Sequence, residues 1–221
     1  MKIFGSGVWR LCFILSALFM MAGGPQHPGG TMAEMLGDRK WVPAHSLLLA
    51  GFVTLLVGLL LYPRSMLLPT RTKRWLRLAF IGTILQAVEM AFHLAAVVDH
   101  DHLVAGHGTP VLTTHLWLAV FFYPIFGLTF AGFIVAGMRD RVLGSPWIGW
   151  LGIAGLLANG AAPPLVVLLK VEEARILFPM VLFFAVWLIL AGLWPPRVRA
   201  DQGFDGERLN QGLRDTGKAS V

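Results

Sequence analysis

Residues 75–98 read WLRLAFIGTILQAVEMAFHLAAVV, and among these 24 positions only Arg77, Glu89 and His93 are ionisable. At about 1.5 Å of rise per residue, a helix of this length spans the roughly 30 Å hydrocarbon core of a bilayer. Five further runs of the same kind flank it, at 3–22, 44–62, 111–137, 147–169 and 176–194, and the six occupy more than half of the 221 residues. The expected fold is all-α: a polytopic bundle of six transmembrane spans forming one domain, 1–194. A basic tail, 195–221, follows and is expected to be disordered.

Composition excludes the other classes. Charged residues are 14% of the chain and hydrophobic ones 56%, where soluble domains carry about 25% charged residues. Mean hydropathy is +0.69. Disorder throughout, a coiled coil and a disulfide-stapled secreted domain do not fit these values, and a single cysteine, Cys12, rules out an internal disulfide.

The first run admits two readings. Lys2 and Arg10 followed by apolar 11–22 resembles a signal peptide, whose cleavage would leave five spans. The sequence Met20-Met21-Ala22 lacks the small residue needed three positions before a cleavage point, so a retained helix is expected.

Cationic side chains set the expected orientation. Fourteen of the 18 Lys and Arg residues fall on one side of the six spans, in the N-terminus, between Arg64 and Arg77, around Arg139 and Arg141, and in the tail. The other side holds only Arg39, Lys40, Lys170 and Arg175. Short loops rich in Lys and Arg stay in the cytoplasm, which predicts a multi-pass inner-membrane protein of bacterial type with both termini cytoplasmic. Aromatic-proline-arginine junctions at Tyr62-Pro63-Arg64 and from Trp194 to Arg197 are suited to anchor spans on that face. The positive tail suits anionic lipid rather than nucleic acid.

On the opposite, outer side the turn GGPQHPGG at 23–30 precedes Thr31-Met32-Ala33-Glu34, a capping-box pattern. It predicts a short helix over 31–41 lying on the membrane surface. All seven histidines, His27, His45, His93, His100, His102, His107 and His115, fall on this side or in the outer half of a span. The positive-inside rule does not require this, because it concerns Lys and Arg.

Within the third span Gln86, Glu89, His93 and His100 lie on one helix face. Glu89 sits about 13 Å and His93 about 7 Å below the outer end of that span. An ionisable group at such depth is costly unless it faces the bundle interior with a partner, and His93 is one turn from Glu89. His115 at the outer start of the fourth span and His45 at that of the second can converge on them. Three imidazoles and a carboxylate form a ligand set for Cu, Zn or Ni. Asp99, His100, Asp101, His102 and His107 in the following loop are candidate exposed collectors of the ion. Gln86 and Asn159 are candidate supporting groups, with Asn159 placed to bond toward Glu89. Met32, Met35 and Met180 would tilt the choice toward Cu(I) if their sulfurs took part.

Each feature also has a plain structural reading. A Glu-His pair can simply hold helices together by a hydrogen bond, an Asp/His loop can be a solvated connector, and His27 beside Pro28 reads as an ordinary loop residue. His93 and His115 could alternatively ligate a b-type haem, with Phe121, Phe122, Tyr123 and Phe126 as its wall. Glycines 149, 152 and 155 permit close helix contacts, and Pro163-Pro164 should break the outer half of the fifth span. No P-loop, Gly-x-Gly-x-x-Gly, Cys-x-x-Cys or Gly-x-Ser-x-Gly pattern is present.

The function expected from these residues is binding of a transition-metal ion at an outward-facing His/carboxylate site, for transport, delivery or sensing. A non-catalytic accessory subunit packing against other membrane subunits or a second copy is the alternative class, and a haem-bearing redox subunit is the third. Enzymatic activity would require an open coordination position on the same metal.

Overall fold

Among the described residues, long apolar runs give six α-helices, and two short helices lie in the connections between them. A computed structural model describes residues 7–62 and 68–194. The Pro63-Arg64 and Pro195 to Arg197 junctions, the start of the first run and the basic tail lie outside the described residues. The helices are α1 (Val8–Gly23), α2 (Met32–Gly37), α3 (Trp41–Leu61), α4 (Thr70–Ala95), α5 (His100–Val104), α6 (Pro110–Arg139), α7 (Pro146–Pro163) and α8 (Val181–Leu193). Six stretches, built on α1, α3, α4, α6, α7 and α8, are long and apolar enough to cross a membrane. No strand occurs among the described residues. The chain is an all-α, multi-pass membrane protein.

The six long helices form a closed ring. Each packs on the next in chain order, and α8 returns to α1. Aromatic side chains fill its middle: Phe52 of α3, Phe126 and Phe130 of α6 and Phe184 of α8 meet edge to face with centroids 4.9–5.8 Å apart. Such pairs add about 0.5–1.5 kcal/mol each beyond their burial. A smaller apolar cluster of Leu36, Trp41, Ala96 and Leu112 caps the end of the bundle that carries the histidines.

Small residues permit these approaches. A methyl at Gly155 of α7 would stand 2.6 Å from the Met180 carbonyl oxygen and 2.7 Å from the Phe184 amide nitrogen, while one at Gly152 would strike Trp187. Pro163 and Pro164 remove successive backbone donors, and the helix loosens into a π turn over Pro164–Leu168 before the chain re-enters through the 3-10 helix Glu172–Met180.

Helix α2 is set by its first turn. The Thr31 amide and hydroxyl both donate to Glu34 Oε2, at 2.7 and 2.8 Å, and the Glu34 amide donates back to the Thr31 hydroxyl. Those two Thr31 donors, the amide foremost, hold the Glu34 carboxyl below its ordinary range.

Two outcomes test this packing. Gly155→Ala should lower stability by about 1–3 kcal/mol in thermal denaturation in mild detergent, whereas Gly108→Ala, with open space at its Cβ, should change little. Because the folded-state pKa of Glu34 is depressed, its contribution is complete above the ordinary glutamate range and fades as pH falls through the lowered value. The difference in Tm between wild type and Glu34→Ala should therefore be largest near neutrality and shrink on acidification, and a pH-independent difference would contradict the capping account.

Candidate metal centre

Helix direction brings the histidine-bearing start of α3, end of α4 and start of α6 to one end of the bundle, beside the end of α1. Gly23 makes the approach of α1 possible. A Cβ there would lie 2.7 Å from the Ala44 carbonyl oxygen, so a glycine lets α1 close on α3 beside His45. The 3-10 turn Gly24–Gln26 then carries His27 back over the bundle. Trp41, buried at the start of α3, donates its indole N–H to the Leu94 carbonyl at 3.3 Å and ties α3 to the end of α4.

The imidazoles stand in a row. Ring centroids are 4.8 Å apart between His27 and His45, 4.2 Å between His45 and His93, and 3.9 Å between His93 and His115. Trp41 lies against the first three of them. Glu89, one turn deeper on α4 and fully buried, lies below the last two, its Oε1 2.8 Å from His115 Nδ1 and 3.7 Å from His93 Nδ1. Gln86, one further turn down, donates its amide to Glu89 Oε2 at 2.8 Å, and Tyr123 of α6 adjoins both Gln86 and Glu89.

Two sets of three ligand atoms, each set within 4.8 Å, result: Glu89 with His93 and His115, and His27 with His45 and His93. Glu89 Oε1 and His115 Nδ1 are in ion-pair contact, and Glu89 Oε1, His93 Nδ1 and His115 Nδ1 are buried with no well-aligned hydrogen bond. His45 Nε2 and Gln86 Oε1 are in the same position. Buried polar atoms left this way each cost about 1–3 kcal/mol, and here five of them crowd one small region. Two ligands on a tetrahedral zinc ion lie about 3.3 Å apart, given bonds near 2.0–2.1 Å. The 2.8 and 3.7 Å separations bracket that value. The donor set could therefore hold a metal ion.

Tautomers are preset on two of the rings. His45 Nδ1 lies 2.6 Å from the Trp41 carbonyl oxygen and His27 Nδ1 lies 2.8 Å from that of Pro28. A carbonyl only accepts, so each Nδ1 carries the proton and each Nε2 keeps a lone pair, the arrangement by which outer hydrogen bonds orient metal-binding histidines.

The loop residues go elsewhere. Asp99 is buried and accepts the Leu112 amide at 2.8 Å, capping the start of α6. His100 rests against Gly37 of α2, with its Nδ1 2.9 Å from the exposed Asp101 carboxylate. His102 and His107 are exposed, their centroids 6.1 Å apart. Asn159 donates to the Phe178 carbonyl at 3.0 Å and so fastens α7 to the re-entering segment rather than to Glu89. Met32 and Met35 pack against the Leu36 and Trp41 cluster. The His93 and His115 rings are inclined by only 27°, and at 3.9 Å this stack leaves no space for a porphyrin between them. Sequence reasoning missed His27 as a member of the cluster. Its signal was the glycine-proline turn directly after a helix end, which reverses the chain toward the bundle.

Comparison of the chain with protein-family models, with curated proteins and with solved structures gives no match. The residues and their geometry carry the functional reading.

The site's chemistry has a consequence in the absence of metal. Glu89→Gln should leave Tm of metal-free protein unchanged or raise it, because an amide needs no counter-charge in the bundle. Gln86→Leu should lower stability by about 1–3 kcal/mol, since it deprives a buried carboxylate of its donor. Differential scanning fluorimetry of chelator-treated protein checks both.

Proposed function

We propose that this protein binds one transition-metal ion within the membrane at Glu89, His93 and His115, with His45 beside them, and serves delivery or sensing of that ion. The observation that carries the reading is the convergence of buried imidazole nitrogens and a carboxylate oxygen, none with a well-aligned hydrogen bond, where α3, α4 and α6 meet. Nitrogen-rich ligation with one carboxylate suits Zn, Cu or Ni, and nothing in the set is soft enough to demand Cu(I). One carboxylate also offsets half the charge of a divalent ion, which eases its placement at membrane depth.

Delivery and sensing are preferred to passage through the protein because of what lies deeper. Phe126 follows His115 by eleven residues on α6, about 16 Å along the helix, and with Phe52, Phe130 and Phe184 it closes the ring. An ion entering from the histidine end would return the same way or change the bundle's shape. By the positive-inside argument that end faces outward from the cytoplasm.

Protein purified in mild detergent without a polyhistidine tag should hold one Zn, Cu or Ni ion per chain by elemental analysis. Readdition of the preferred ion to stripped protein at one hundred times its Kd should stabilise it by about 2.7 kcal/mol. A His93→Ala/His115→Ala double variant should lose both effects. Wild type that retains none of the three ions and gains no stability from them would contradict the reading and leave the imidazole row as a packing element.

A further inference from the structure

The buried triad has a neighbour with which it shares a residue. His27, His45 and His93 offer three ligand atoms within 4.8 Å of one another, and their environment changes from exposed at His27 to buried at His45. We propose that these three imidazoles form a second coordination position, an entry station at which the ion is first held before His93 passes it to Glu89 and His115. This inference rests on the metal-binding reading above.

Three observations support it. The Nδ1 protons of His27 and His45 are committed to backbone carbonyls, so their Nε2 lone pairs are available without rearrangement. His93 stands between the two positions, its ring 4.2 Å from His45 on one side and 3.9 Å from His115 on the other. The two positions also differ in charge. Three neutral imidazoles leave a divalent ion its full charge, which is tolerable only near the exposed mouth, whereas Glu89 neutralises half of it at the buried position.

Charge further limits occupancy. Filling both positions would set four positive charges against one carboxylate within a few ångströms, so the stations hold one ion in alternation. The exchange is a change of ligands without redox chemistry. The bonds from His27 and His45 break, those to Glu89 and His115 form, and His93 stays bound throughout. His27, the most exposed of the set, acts on the rate of loading rather than on the final position.

Stopped-flow mixing of stripped full-length protein with Co(II) alone, read by its d–d absorption, tests the order of events. Wild type should take up one Co(II) per chain in two phases. His27→Ala should still take up one ion, with the wild-type final spectrum, but several-fold more slowly, because the entry position loses one of its three ligands. Glu89→Gln should stop at the first station, giving one ion with a different spectrum, and the His27→Ala/Glu89→Gln double variant should lose that binding. Loading of His27→Ala at the wild-type rate, two ions bound at once by wild type, or a Glu89→Gln protein that binds nothing would each overturn the entry station while leaving the buried site intact. Wild type that takes up no Co(II) would overturn the underlying metal reading, and the station with it.

Discussion

A carboxylate with no exposed surface, Glu89, lies inside a bundle of apolar helices, and the arrangement around the histidine end follows from it. Leaving such a group without compensation costs several kcal/mol. One oxygen is satisfied by Gln86, while the other faces two imidazole nitrogens, His115 at 2.8 Å and His93 at 3.7 Å. These converging atoms could hold a cation, and burial strengthens a carboxylate's attraction for one.

The fold holds this site between two apolar clusters. Leu36, Trp41, Ala96 and Leu112 pack beside it at the histidine end, where His27 stays exposed, and on the other side the phenylalanine rings fill the ring of helices. The supporting contacts come from residues that are not themselves ligands. Gly23 sets the spacing of α1 and α3, Trp41 bonds α3 to α4, and Asp99 caps α6 so that His115 enters at the right height. Asp99 thus acts on the site through the backbone, although its place between histidines reads as a ligand in sequence.

Much of this was legible in the chain. Span length and apolar content are one-dimensional properties, so six helices and the all-α class follow from counting. The Gln86, Glu89, His93 stripe is legible for the same reason, since helical spacing fixes which residues share a face. Relations between helices are not encoded that way. That His27 reaches His45 depends on a close approach at Gly23, and that Asn159 turns to Phe178 depends on where the re-entering segment docks. The acidic, histidine-rich loop looked like the richest ligand source because composition was visible and burial was not. The structure leaves His102 and His107 at the surface and uses Asp99 as a cap.

X-ray absorption at the edge of the bound ion tests the central claim most directly, because it reads the ligand atoms themselves. The account predicts, for a zinc-loaded protein, nitrogen and oxygen neighbours at about 2.0–2.1 Å with the outer-shell scattering of at least two imidazoles and no sulfur. Glu89→Gln should reduce the oxygen contribution while the imidazole signature persists. A shell of oxygens alone, as for an ion held by water and exposed carboxylates, would contradict it.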